Sequence, residues 1–257
     1  MLSKRLACTA AIGLLLATGA TACGDNDKAT ATAAAAAAPK LDTEKLSAEE
    51  IQKQAKDALS GASSVKVVGA INKDAEKISV DLAVDTKGQC KGTMSVPGAG
   101  KFELIGDGKQ VYLKPDTEFL TSVTEGKNPQ AVELLKGRYI SGVQDDPDMK
   151  ELTTVCNLKE LTKTFGGDDR ATNITKGSAG TVNGAKTFSV KSKDSSGGEV
   201  TLHVATEGKP YPLRIEKGGK DGGQMDFTEI DKPLTVQAPP ADQVIDYSLF
   251  KDRVKPA

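Results

Sequence analysis

The sequence predicts an α+β protein in which one strongly bent antiparallel β-sheet forms a half-barrel, with helices packed on its concave face. Three observations predict this fold: an amphipathic helix after residue 46, two separate runs of alternating strands, and a helical insert between the two runs. This order suits a single long sheet that folds around its connecting helices. We expect one domain, residues 46–250, with the insert at residues 116–165.

The first helix is predicted from "SAEEIQKQAKDALSGAS". Ser47 and Glu50 have the spacing of a capping box, and Gly61 is placed to end the helix. Its apolar stripe consists of Ile51, Ala55, Ala58 and Leu59.

The strands are predicted from a change of period to two after Val65. "EKISVDLAVD" places Ile78, Val80 and Leu82 on one side and polar residues on the other. "GKFELIGDG" and "KQVYLKP" continue the first meander, and four similar segments between residues 184 and 231 form the second. The insert has helix start signals at Asp116, Asn128 and Asp148.

The first 22 residues have the three parts of an export signal: a positive start at Lys4 and Arg5, an apolar run, and the small residues Ala20-Thr21-Ala22. The apolar run is shorter than the roughly 20 residues that a membrane-spanning helix needs. We therefore predict that residues 1–22 are a cleaved signal peptide.

Cys23 directly follows these small residues, which is the pattern of a bacterial lipobox with Ala20 at the position usually held by Leu. From this pattern we expect Cys23 to carry a palmitate-type diacylglyceryl group. Its two acyl chains would suffice for stable anchoring in the membrane. Ordinary secretory cleavage after Ala22, with a cysteine there by chance, is the alternative. Residues 23–45, rich in Ala and Thr, are predicted to form a flexible tether.

The net charge argues against a nucleic-acid partner. Loss of residues 1–22 removes two basic side chains and lowers the formal charge from −1 to −3, so the chain has no basic excess. It also has no Trp, few other aromatic residues and no basic stripe.

Cys90 and Cys156 remain once Cys8 leaves with the signal and Cys23 is lipidated. In an oxidising compartment this even pair predicts a disulfide between the first meander and the end of the insert. Two unpaired buried thiols are the alternative.

Catalytic and metal-binding arrangements are not found in the sequence. His203 is the only histidine, and its strand alternation places it on the solvent side as a surface residue. One histidine without spare thiols gives no zinc ligand set, and no nucleophile elbow or phosphate loop occurs. We predict a protein that is not an enzyme and has no cofactor or metal.

Several segments resemble the LppX/LprAFG group of actinobacterial lipoproteins, over most of residues 45–247. They are "AKDALSGASSVKVVG", "GQCKGTMSV", "GDGKQVYLKPDTEFL", "TVNGAKTFSVKS" and "GKPYPLRIE", together with Cys23 in its lipobox. The resemblance implies a fold similar to the LolA/LolB carriers and a lipid or glycolipid ligand. The cysteine pair is also similar to that of the shorter relatives.

The resulting hypothesis is a monomeric, non-catalytic carrier, lipid-anchored on the extracytoplasmic face of the cell membrane, that holds an acylated lipid or another hydrophobic ligand. The alternative is a tethered protein-interaction or scaffold module without a ligand. The apolar strand faces supply the residues that we expect to line the cavity. They are Ile78, Val80, Leu82, Phe102, Leu104, Val111, Leu113, Phe188, Val200, Leu202, Leu213, Met225 and Phe227.

Overall fold

A computed structural model of the chain describes residues 40–73, 76–147, 153–165, 171–220 and 222–249. The chain divides into two units, Met1–Ala37 and Ala38–Ala257, and all described residues belong to the second. The predicted signal peptide, the lipidation site Cys23 and tether residues 23–39 lie outside the described residues, as does the helix start expected at Asp148.

Four α-helices are described, with short 3₁₀ turns between and after them. They are α1 (Ala48–Ser60), α2 (Thr117–Val123), α3 (Pro129–Leu135) and α4 (Leu158–Phe165). The capping box at Ser47 and Glu50 is present, and Gly61 ends α1. The side chains of Asp116 and Asn128 cap α2 and α3, so these two start signals are confirmed.

The strands form one large open sheet. They are β1 (Ser64–Lys73), β2 (Glu76–Asp85), β3 (Gln89–Val96), β4 (Gly100–Asp107), β5 (Val111–Pro115), β6 (Tyr139–Ser141), β7 (Thr172–Val182), β8 (Ala185–Lys193), β9 (Glu199–Ala205), β10 (Pro212–Lys217), β11 (Gly223–Thr228) and β12 (Val244–Asp246). Their order across the sheet is β12-β6-β5-β4-β3-β2-β1-β11-β10-β9-β8-β7. Among the described strands, the two at the ends of this order do not pair with each other, so the sheet is not closed.

The sheet is mixed, which corrects the expectation of a purely antiparallel one. β12 runs parallel to β6, with Val244 opposite Tyr139, whereas the other neighbouring strands are antiparallel. The parallel pair arises because the chain after β11 crosses to the far edge before it forms β12. Along this path Ser64 donates a hydrogen bond to the Lys232 carbonyl, and Val236 packs in a small cluster with Ile105.

Four strands were not expected from the pattern of apolar residues: β3, β6, β7 and β12. In β3, Gly92 and polar residues separate Cys90 from Met94, so the apolar alternation is weak. β6 and β12 have three residues each, too few for an alternation to be visible. β7 has eleven residues, but it is an edge strand rich in Gly, Ser and Thr whose side chains are mostly exposed. An edge strand needs few apolar residues, because it has a neighbour on one side only.

Three glycines allow neighbouring strands to approach closely. A β-carbon on Gly69 would collide with the backbone of Gln224 in β11, and one on Gly223 would collide with Ala70 in β1. Gly92 has the same relationship to Asp81 in β2. Glycines at such close approaches permit local bends of a sheet.

The main core, which we call cluster 1, joins helices to one face of the sheet, the inner face. Leu59 of α1, Leu120 of α2 and Leu161 of α4 belong to it together with residues of β1 to β6 and β11. Cluster 2 joins Ile51 and Ala55 of α1 to Val190 and Val204 at the other end of the sheet. The helices therefore pack on one face; that this face is the concave one stays a prediction.

Candidate functional site

Most of the residues predicted to line a cavity share the inner face of the sheet. Nine belong to cluster 1 or pack against it: Ile78, Val80, Leu82, Phe102, Leu104, Val111, Leu113, Met225 and Phe227. Phe188 and Leu202 pack against cluster 2. Val200 and Leu213 are half-buried and belong to neither cluster, and the strand register shifts at Leu213. That these residues bind a ligand stays a prediction.

Strand register aligns the inner-face residues in rows across the sheet. Phe102, Met94 and Val80 lie directly opposite one another on β4, β3 and β2. Met225, Ile215 and Leu202 continue this row on β11, β10 and β9, with Gly69 of β1 between the two halves. Directly opposite side chains in an antiparallel sheet share a face, so the row is an apolar strip with a gap only at Gly69.

The centre of the inner face is packed, and its margin is accessible. Leu82 and Leu104 are 0% exposed. In contrast, Ile71, Ile78, Met94 and Ile215 pack against cluster 1 but remain only half-buried. A ligand that reaches the centre must therefore displace side chains that already fill it.

A cleft of about 400 Å³ opens between two hairpin turns of the sheet and the start of α4. Its apolar lining residues, Val111, Cys156 and Leu158, all belong to cluster 1 or pack against it. The cleft therefore connects solvent with the core under α4. The other lining residues are Asp85, Thr86, Gly88, Gly108, Lys109, Gln110, Gln144, Thr153, Asn157 and Lys159.

Many of the polar residues that line the cleft come from two hairpin turns, β2–β3 and β4–β5. Asp85 accepts hydrogen bonds from the backbone N–H groups of Lys87 and Gln89, which shapes the β2–β3 turn. Asp107 has the same role in the β4–β5 turn. Burial favours a higher pKa for the Asp107 carboxyl, but the backbone N–H groups of Gln110 and Lys109 outweigh it, and the pKa is lowered.

The start of α4 forms the opposite wall. Asn157 accepts hydrogen bonds from the backbone N–H groups of Lys159 and Glu160 and thereby caps the helix. Gln144, from the 3₁₀ turn Val143–Asp145, has a buried side-chain oxygen to which no group of the described residues donates a hydrogen bond. Sequence reasoning missed these polar residues, because they lie in turns far apart in the chain and meet only in the folded protein.

Cys90 and Cys156 are joined in a disulfide, with their Cα atoms 5.2 Å apart. Cys90 lies within β3, and Cys156 lies just before α4. The bond therefore attaches the turn before α4 to β3, and its Cys156 lines the cleft.

His203 lies on the face of the sheet opposite the core, as predicted, but it is not a fully exposed surface residue. Its side chain is 21% exposed, and its Nε2 atom is 3.4 Å from Glu216. The neighbouring Arg214 forms a two-point ion pair with Asp226, with distances of 2.6 and 2.8 Å. This group of charged side chains shields His203 from solvent.

Within the described ranges, no three or more His, Cys, Asp or Glu side chains are grouped so that they could hold a metal ion. In the same part of the chain, no helix has the length and apolar character required to cross a membrane.

Comparisons with known proteins identify the fold. No protein-family model matches the chain, and no curated protein matches it. Among solved structures, the chain is similar to LprF from Mycobacterium bovis, at 18% identity and a TM-score of 0.52, over 76% of this chain and 97% of that one. It is also similar to the Mycobacterium tuberculosis lipoprotein LppX, at 16% identity and a TM-score of 0.48, over 73% and 96% of the two chains. The protein therefore has the LprF fold.

Proposed function

We propose that this protein is a non-catalytic, membrane-anchored binder or carrier of an acylated lipid or another hydrophobic ligand in the cell envelope. One observation carries the proposal: the cleft at the start of α4 has an apolar floor that is part of the core formed by the predicted cavity residues. The fold shared with LprF supports it. The ligand-binding surface would be the inner face of the sheet beneath α4.

The chemistry of this surface suits an acyl chain. The apolar strip offers aliphatic and thioether side chains, including Met94 and Met225, which repack readily around flexible ligands. Each buried methylene of a chain contributes about 0.8 kcal/mol. An acyl chain would enter through the cleft, past Val111 and Leu158, and would lift α4 as it replaces the side-chain contacts there.

Ligand binding is tested with the purified chain and a fluorescent fatty acid, together with native mass spectrometry after extraction from membranes. We expect uptake at a stoichiometry near one. Val111→Arg, which places a charge in the cleft floor, should abolish uptake. Thr93→Arg is the matched control, because Thr93 lies in β3 on the outer face, opposite Glu103 of β4. Uptake unchanged by Val111→Arg would contradict a route through the cleft, and no uptake at all would contradict the binding function.

The anchor is tested separately. Metabolic labelling with a radioactive fatty acid should label the wild type and not Cys23→Ser. The wild type should sediment with membranes, on the extracytoplasmic side by protease accessibility. Equal labelling of both proteins would contradict lipidation at Cys23.

The packed centre of the inner face favours a second candidate, a tethered interaction or scaffold module without a ligand. Leu82, Leu104 and Leu113 are almost completely buried, as in an ordinary core. The fluorescent fatty acid distinguishes the two: a scaffold would show neither co-purifying lipid nor uptake by the wild type.

A further inference from the structure

The two sulfurs of the disulfide have different surroundings. Cys90 is 0% exposed, and it pairs with Val84 on one side and Gly106 on the other, so its backbone is held by two strand ladders. Cys156 is 4% exposed and also belongs to cluster 1, but it lies outside the sheet in a turn and, unlike Cys90, it lines the cleft. A molecule in the cleft therefore meets Cys156 first.

Among the described side chains of helix α4, two leucines attach it to the inner face. Leu158 and Leu161 place their side chains in cluster 1, and Asn157 and Lys163 form hydrogen bonds within the helix and its cap. The helix has eight residues, too few to be stable without packing. The disulfide adds a covalent link between the turn before this short helix and β3.

We propose that Cys156 is a thiol-exchange site, and that attack on its sulfur releases α4 from the sheet. The reagent is a small or protein-borne dithiol. Its first thiolate attacks the Sγ atom of Cys156, the bond to Cys90 breaks, and Cys90 leaves as a thiolate that takes up a proton. The second thiol then attacks the mixed disulfide and leaves Cys156 as a thiol. The dithiol is oxidised by two electrons, and the protein disulfide is reduced by two.

The consequence of exchange is asymmetric. Cys90 remains in place, because the ladders to β2 and β4 hold it with or without the bond. Cys156 and α4 lose their link to the sheet, so opening concentrates at α4 and the cleft. If the inner face binds a hydrophobic ligand, which rests on the function proposed above, exchange at Cys156 would control access to it.

The attacked sulfur is identified with a monothiol, which stops the reaction at the first step. The oxidised full chain is incubated with glutathione, free thiols are blocked with N-ethylmaleimide, and the digest is analysed by mass spectrometry. We expect glutathione on Cys156 and maleimide on Cys90. Glutathione mainly on Cys90, or no adduct under native conditions while the urea-unfolded chain reacts, would overturn the proposal.

Release of α4 is measured by amide hydrogen exchange before and after reduction with dithiothreitol. We expect at least tenfold faster exchange in residues 158–165, with β2 and β4 unchanged. Val190→Ala is the matched control, since it weakens cluster 2 without touching α4. It should not reproduce the local effect. Unchanged exchange in α4 after complete reduction, or equal acceleration throughout the sheet, would refute the release.

Fatty-acid uptake by the oxidised and reduced proteins separates this inference from the proposed function. Faster uptake after reduction supports both. If Cys156 forms the adduct and α4 loosens, but neither state takes up the fatty acid, the binding function is contradicted and the exchange site is supported. Uptake that is equal in both states would show that α4 release does not control access.

Discussion

Gly106 of β4 lies directly opposite Cys90 of β3, and a β-carbon on Gly106 would come within 2.8 Å of the Cys90 sulfur. The sheet thus leaves a side-chain position empty where the disulfide passes to Cys156. The absence of a side chain at Gly106 therefore makes room for the Cys90–Cys156 disulfide, which links the turn before α4 to the sheet.

Gly106→Ala should destabilise the oxidised protein by about 1–3 kcal/mol, because the added methyl group has to displace the sulfur or the backbone. Chemical denaturation measures the change. In a Cys90→Ala/Cys156→Ala background the cost should fall, since the sulfur is gone, and the double-mutant cycle gives the coupling. Gly180→Ala is a suitable control, because its β-carbon would make only an ordinary contact of 3.6 Å with Thr187. Equal costs at both positions would contradict the argument.

Leu82→Ala should lower the free energy of unfolding by about 2–5 kcal/mol, because it creates a cavity in the packed centre of the inner face. Leu82 is 0% exposed, whereas Leu249 is 73% exposed. Leu249→Ala should therefore change stability by less than about 0.5 kcal/mol. Urea unfolding of both variants tests this. A small cost for Leu82→Ala would contradict tight packing at the centre of the inner face.

Ser47→Ala should cost about 0.5–2 kcal/mol, since it removes the side chain that accepts a hydrogen bond from the Glu50 backbone at the start of α1. Ser47→Asp retains an acceptor and should retain most of the stability. Thermal unfolding followed by circular dichroism gives the comparison. Equal losses in both variants would show that capping is not the cause.

Stability should depend on pH below about 4 through Asp231. A hydrogen bond from the Tyr211 hydroxyl, followed by the Ser63 backbone N–H and Lys209, holds the pKa of Asp231 well below its usual range. A carboxyl whose pKa is lower in the folded state stabilises the protein above its unfolded pKa, about 3.9, and loses this contribution as the pH falls. Tyr211→Phe should therefore reduce stability most at pH 7, and its difference from the wild type should shrink only as the pH falls toward the lowered pKa of the folded state.

Urea unfolding across this pH range tests the prediction. Asp231→Asn suits as a second variant, because Asp231 has a φ angle of 60°, which Asn adopts readily. Tyr112→Phe is the control, since the Tyr112 hydroxyl is paired with Gln110 rather than with a carboxylate. A constant difference between Tyr211→Phe and the wild type at all pH values would contradict the role of Asp231.

The sequence predicted the elements whose signals are local. The capping box at Ser47 and the alternation around Leu82 depend on residues a few positions apart, so both were identified without the fold. β7 was missed because its edge position removes the need for apolar residues, and β12 because three residues show no period. The polar lining of the cleft was missed because Gln144, Asn157 and Lys109 come from separate turns.

The sequence by itself determined the α+β class, the helix starts, the apolar strand faces and the availability of Cys90 and Cys156 for pairing. Each follows from side-chain chemistry and short-range spacing. Only the tertiary structure decided the order of the twelve strands, the parallel β6–β12 pair and the cleft beside Cys156. The strand order, the parallel pair and the cleft depend on which distant segments bury their apolar surfaces against each other. The packing of the whole chain determines this, and no single segment does.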